Sequence, residues 1–176
     1  MTDLFFHMPS TAFLQAFAPH GAAMALMFGA LRTLRRWPPV YAIALWPGTV
    51  AHELLHYGAG VLTGARPVTI SLLPRRQADG SWELGSVSFT RLRWWNSVPV
   101  GLAPMALLPA GGWVLVESLS WPLLSAGGTG LKLAAMQCLL AGWPSRRDWL
   151  HALTGLLLVA LLASFGMWLV RSITGN

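Results

Sequence analysis

Five long apolar stretches joined by short polar connections constrain the fold of this chain more than any other feature. They run over about residues 11–31, 40–62, 97–119, 131–143 and 149–170. A helix of about 20 residues, rising 1.5 Å per residue, crosses the roughly 30 Å hydrocarbon core of a bilayer. Lipid is the expected solvent, since 55% of the 176 residues are hydrophobic and only 10% are charged, against about 25% in soluble domains. We predict a single membrane-embedded domain over residues 1–176, an all-α polytopic bundle of about five transmembrane helices.

Two of these stretches depart from a simple membrane helix. The stretch at 131–143 is too short to span comfortably, so its helix begins earlier, in the glycine-rich segment 125–130, or is partly re-entrant. The third stretch contains three prolines, which predict a kinked or broken helix: Pro99, Pro104 and Pro109.

The basic residues bear on orientation more than on binding. The net charge of +6 does not indicate a nucleic-acid partner, because the basic residues are scattered through the connections. The second and fourth connections carry seven arginines: Arg66, Arg75, Arg76, Arg91, Arg93, Arg146 and Arg147. The opposite side carries five basic residues: Arg32, Arg35, Arg36, Lys132 and Arg171. We therefore expect a multi-pass integral protein of a bacterial-type inner membrane, with a cytoplasmic N-terminus, the lipid bilayer as a partner and no nucleic acid. The single cysteine, Cys138, excludes an internal disulfide.

Residues 67–90 have a different pattern from the apolar stretches. The segments PVTISLL and GSVSFT alternate with period two, which is typical of strands. Between them, Asp79 and Gly80 form a good turn dipeptide. We predict a small β-hairpin between the second and third helices, and it needs the bundle or the bilayer surface to rest on, since two strands alone are marginal in water.

Residues 52–56 read HELLH, inside the second apolar stretch. The spacing puts His52 and His56 one helical turn apart on one face, so both imidazoles can reach one metal ion. Glu53 then lies beside the ion, where it can take a proton from water. Three ionisable groups within one turn of a membrane helix need a shared reason, because each costs free energy there. A polar face packed by hydrogen bonds is the alternative.

A hydrolytic zinc site usually has a third protein ligand. Asp148 follows the fourth stretch, on the side of the membrane where the HELLH helix ends. The segment from Ser145 to Asp148 also fits a capping box that starts the fifth helix, so Asp148 is either a ligand or a helix cap. His151 and Glu117 are the alternative third ligands.

This arrangement resembles the site-two protease family of intramembrane zinc metalloproteases. The resemblance rests on HELLH in a membrane helix, then a hairpin, a further helix and an aspartate close to a proline, over residues 40–150. It implies that His52, His56 and Asp148 bind Zn²⁺ and that Glu53 is the catalytic base. The segment Pro144–Trp149 stands where the family has an Asp-Gly motif. The chain would be a minimal member without a PDZ domain.

The resulting functional hypothesis is a zinc metalloendopeptidase that hydrolyses transmembrane-helix substrates by a zinc-activated water. Its partner would be a transmembrane protein substrate that must unwind locally, because a helix hides its carbonyls in hydrogen bonds. We expect the hairpin to hold the unwound segment as an added strand, the alternative being a simple connector. The rival function is a catalytically inactive, protease-like membrane protein that acts as a metal-binding adaptor or sensor.

Overall fold

The computed structural model describes residues 10–78 and 80–174, which are mostly helical. The helices are α1 (Ser10–Thr33), α2 (Pro38–Leu62), α3 (Trp94–Leu102), α4 (Leu107–Ser118), α5 (Ala126–Ala141) and α6 (Arg146–Thr174). A 3₁₀ turn at Ala103–Ala106 joins α3 to α4, so the described chain has five helical segments. The turn contains Pro104, which confirms that prolines interrupt the third segment.

The structure supports fewer membrane-spanning segments than the sequence predicts. Within the described residues, two segments are long and apolar enough to cross a membrane: Trp94–Ser118 and Arg146–Thr174. Only 6% of the most apolar window of the second is buried, so most of the apolar side chains of this helix are exposed. The prediction of five transmembrane helices stays a prediction.

Local sequence signals explain both ends of α2, the helix that carries HELLH. Pro38 and Pro39 begin it, at positions where a missing N–H costs nothing. At the other end Gly64 has φ +71°, and the Ala65 N–H donates to the Gly60 carbonyl over 2.8 Å. This is a Schellman cap, in which glycine takes the left-handed position that stops the helix.

Helix α5 begins inside the glycine-rich segment, as one of the two sequence interpretations has it. The Ser125 hydroxyl caps its first turn by accepting from the Gly128 N–H over 3.1 Å.

Helices α2 and α5 run parallel, because Gly48 contacts Gln137 and, one turn on, His52 contacts Ala141. Close packing against α3 fixes the start of α6. A Cβ on Gly101 would lie 2.7 Å from the Asp148 carbonyl oxygen, so only glycine allows this approach.

The hairpin predicted between the second and third helices is present. Strand β1 (Pro67–Ser71) pairs antiparallel with β4 (Ser86–Phe89), and nearer the tip β2 (Arg75–Arg76) pairs with β3 (Trp82–Glu83). Gly80 has φ +82°, as a turn glycine does, while Asp79 of the predicted turn lies outside the described residues.

Two contacts hold the hairpin against α2. The Trp46 indole N–H donates to the Leu72 carbonyl over 2.7 Å, just beyond β1. The Phe89 ring of β4 lies against Gly60, where a Cβ would collide with it. The hairpin therefore rests on the helix that carries HELLH. It needs such a support because an isolated two-stranded hairpin is only marginally stable.

Candidate metal centre

Helix α2 presents the two HELLH imidazoles to the interior of the bundle. Both lie on one face, and the Nε2 atoms of His52 and His56 are 3.0 Å apart. His56 is buried and His52 is partly buried. The four-residue spacing therefore does bring two nitrogen donors to one point.

Backbone carbonyls of two other helices fix these imidazoles from behind. His52 Nδ1 lies 2.6 Å from the Ala141 carbonyl oxygen at the end of α5. His56 Nδ1 lies 2.7 Å from the Val100 carbonyl oxygen in α3. Because a carbonyl oxygen only accepts, each Nδ1 carries the hydrogen, and in the neutral imidazoles each Nε2 then has its lone pair directed towards the other. This is the orientation in which histidines bind a metal.

The carboxylate of Asp148 completes the cluster. Its Oδ1 is 3.1 Å from His56 Nε2 and its Oδ2 is 3.4 Å from His52 Nε2. The three donor atoms of His52, His56 and Asp148 lie within 4.8 Å of one another. Two unprotonated nitrogens and a carboxylate facing each other form a site of negative potential, which a cation neutralises.

Asp148 also caps α6, so its two sequence interpretations are compatible. The Ser145 N–H donates to Asp148 Oδ2 over 2.7 Å, and the Asp148 N–H faces the Ser145 hydroxyl oxygen at 3.3 Å. This is the reciprocal bonding of a capping box. The cap aims the carboxylate at the histidines while α3 holds the same turn from the other side.

The alternative third ligands are placed differently. His151 lines the neighbouring cavity, one turn beyond Asp148, and is not part of the cluster. Glu117 is exposed near the end of α4 and is not part of it either. The geometry therefore favours Asp148 over both.

Glu53, the predicted base, is buried beside the cluster and faces the hairpin. The residue is 8% exposed, and none of the hydrogen bonds among the described residues involves its carboxylate. Gly85, just before β4, approaches so closely that a Cβ there would lie 3.0 Å from Glu53 Oε1. A buried carboxylate without a protein donor remains available to bind water.

A cavity of about 570 Å³ adjoins these residues. It is lined by His52, Glu53, His56 and Asp148, and also by hairpin residues 83–87. This volume is within the range of pockets that bind small ligands. The cluster therefore borders a cavity large enough for a small ligand.

Sequence reasoning missed the two carbonyl acceptors and a side chain of α5. Backbone carbonyls belong to every residue type, so no pattern distinguishes those of Ala141 and Val100. Gln137 is different. It is one of the few polar side chains of α5, beside Thr129 and Lys132, and a polar residue in an apolar stretch is a signal that sequence reasoning could have used. Gln137 contacts α2 just before HELLH.

Comparisons of this chain with known protein families, with curated protein sequences and with solved structures find no match.

Proposed function

We propose that this protein is an intramembrane zinc metalloprotease. The observation that supports the proposal best is the convergence of His52 Nε2, His56 Nε2 and the Asp148 carboxylate, with both Nδ1 atoms held by carbonyls. Two imidazoles and one carboxylate are a donor set that zinc takes in hydrolytic enzymes. Bound Zn²⁺ supplies Lewis-acid polarisation of the scissile carbonyl and of water.

Glu53 is the general base in this proposal. It lies next in sequence to His52, is buried, and lines the same cavity as the cluster. Its carboxylate takes a proton from water as the water oxygen bonds to the scissile carbonyl carbon. When the carbon–nitrogen bond breaks, the same proton passes to the leaving amine.

The proposed setting is the lipid bilayer, with five spans in a multi-pass protein of an inner membrane. The apolar surface of α6 supports a lipid environment, since large side chains are exposed along it: Leu157, Leu161, Phe165 and Trp168 among them. A buried zinc site in such a bundle fits a transmembrane protein substrate, whose helix must unwind before its carbonyls become accessible.

Cleavage of a transmembrane substrate by the purified full-length protein tests this proposal. Activity should require zinc, stop on chelation and return when zinc is restored. Glu53→Gln should abolish cleavage and keep the metal, because it removes the base and leaves the ligands in place. Glu117→Gln is the matched control, since this exposed carboxylate lies outside the cluster, and it should cleave normally.

Two failures have different meanings. Zinc bound without any cleavage, over a panel of transmembrane substrates, would favour the adaptor or sensor function. Cleavage that survives Glu53→Gln would mean that another group is the base.

A further inference from the structure

Helix α2 has a weak point one turn before HELLH. Pro47 lies inside the helix, where it has no N–H to donate and its ring pushes against the preceding turn. A proline within a membrane helix frees backbone groups that must find other partners. Since His52 and His56 follow this point, the backbone geometry at Pro47 determines where both imidazoles lie.

Gln137 of α5 forms hydrogen bonds with backbone groups on both sides of Pro47. Its Oε1 accepts from the Gly48 N–H over 3.2 Å, and its Nε2 donates to the Ala44 carbonyl over 2.6 Å. These groups are four residues apart, so they are the pair that a regular helix would bond to each other. A primary amide is the side chain that can accept from one and donate to the other.

The same face of α5 continues to the candidate metal centre. Ala141 lies one turn after Gln137, and its carbonyl holds His52 Nδ1. The approach is very close, because a Cβ on Gly48 would lie 2.8 Å from Gln137 Oε1 and 3.1 Å from the Ala141 Cβ. One turn of α5 therefore bonds both to the weak point of α2 and to the first histidine.

We propose that Gln137 is a positioning residue for the metal centre: its amide bridges the α2 backbone at Pro47 and so sets the direction of His52 and His56. The inference rests on the proposed metal site and does not depend on peptide cleavage. Gln137 acts on the ligands through α2 and touches neither metal nor substrate.

The test is zinc affinity of the full-length protein, measured by competition with a chelator, for the wild type and for Gln137→Met. Methionine has a similar volume but cannot bridge the backbone. We expect the affinity to fall about tenfold, as for other groups that support metal ligands from behind. The absorption bands of the Co²⁺-substituted protein should shift, which a loss of stability alone would not produce.

Removal of Pro47 tests whether Gln137 acts by bridging the helix backbone at that proline. In Pro47→Ala the helix can close its own hydrogen bonds, so Gln137→Met in that background should change zinc affinity less than about threefold. Gly48→Ala is a second variant, because its methyl group would lie 2.8 Å from Gln137 Oε1 and 2.9 Å from the Gln137 carbonyl oxygen, and it should weaken zinc as Gln137→Met does. Gly58→Ala in the same helix meets nothing within 4 Å and should bind zinc like the wild type.

The outcomes separate this inference from the proposed function. Wild-type zinc affinity and an unshifted Co²⁺ spectrum in Gln137→Met would overturn the role of Gln137 and leave the protease proposal intact. If Gln137→Met does not fold, unchanged zinc affinity in Gly48→Ala would overturn the role in the same way. A wild type that binds zinc without cleaving peptides removes the protease proposal only. A wild type that binds no transition metal removes both.

Discussion

At the scale of single residues, the closest contact in the cluster is one that two neutral histidines would avoid. His52 Nε2 and His56 Nε2 lie 3.0 Å apart while both Nδ1 hydrogens are directed at carbonyls. Without a bound proton or metal ion, two lone pairs face each other beside a carboxylate. A cation between them removes this repulsion, which is why the geometry favours a metal more strongly than the HELLH pattern does.

We expect His52→Ala and His56→Ala each to abolish zinc binding, because either change leaves only two ligands. Elemental analysis after gentle purification, with zinc re-addition, measures the effect. His151→Ala is the matched control, since this histidine lines the cavity outside the cluster. Full zinc content in both His→Ala variants would contradict the site, and loss in His151→Ala would make that residue a ligand.

Asp148 has two roles that substitution can separate. Asp148→Asn keeps a good capping residue, so the free energy of unfolding of the metal-free protein should change by about 1 kcal/mol or less, while zinc affinity falls markedly. Asp148→Ala should lose both. The unfolding transition and a chelator titration measure the two effects separately.

Ser145→Ala is the reciprocal control for Asp148. It removes the hydroxyl that faces the Asp148 N–H and leaves the carboxylate in place, so it should lower stability by about 1 kcal/mol and retain zinc. If Asp148→Asn binds zinc as tightly as the wild type, Asp148 is a cap only and the third ligand lies elsewhere.

At the scale of elements, the sequence predicted the type of each secondary-structure element better than the contacts between elements. Apolar stretches predicted the helical segments, and period-two alternation predicted the hairpin, because both patterns follow from repeating backbone geometry. The interruption at Pro104 was predicted from the prolines of the third stretch, because a proline lacks the N–H that a helix interior needs. The carbonyls of Ala141 and Val100 were not, since which backbone atom faces a histidine depends on how three helices pack.

The hairpin contacts Glu53 of α2 through Gly85, and a substitution at Gly85 tests this contact. Gly85→Ala places a methyl group 2.7 Å from the Glu53 Cγ, so the carboxylate or the hairpin must move. We expect cleavage to fall at least about tenfold through misplacement of the base, while zinc content stays normal. Gly112→Ala, which meets nothing within 4 Å, should leave cleavage unchanged. Normal cleavage by Gly85→Ala would mean that the hairpin does not position Glu53.

The same hairpin offers strand edges to an unwound substrate. Residues of β4 line the cavity and none of β1 does, so β4 is the strand that an extended peptide would reach. Proline removes the donor that strand addition uses. Ser86→Pro or Ser88→Pro on β4 should therefore reduce cleavage more than Thr69→Pro or Ser71→Pro on β1, with zinc content as the check on folding. Equal cleavage by all four variants would make the hairpin a connector.

At the scale of the whole molecule, the ion pair between Glu83 and Arg147 links the hairpin to the first turn of α6, directly after the α5–α6 connection. The pair joins Glu83 Oε1 to the guanidinium at 3.9 Å, so both connections lie at one end of the bundle. For the proposed membrane topology, the positive-inside rule predicts that this end lies in the cytoplasm, because most of the arginines are there. Five spans require the α4–α5 connection to lie at the other end.

Labelling of single cysteines tests this topology. In a Cys138→Ser background, cysteines at Ala78 and Arg146 should be protected from a membrane-impermeant maleimide in intact cells, and one at Ser120 should react. All three residues are exposed, so differences in reactivity report the side of the membrane. Reaction at Ala78 and Arg146 with protection at Ser120 would invert the orientation and keep the fold. Equal reactivity at Ala78 and Ser120 would mean that the segment Trp94–Ser118 does not cross the membrane, which would exclude the five-span bundle.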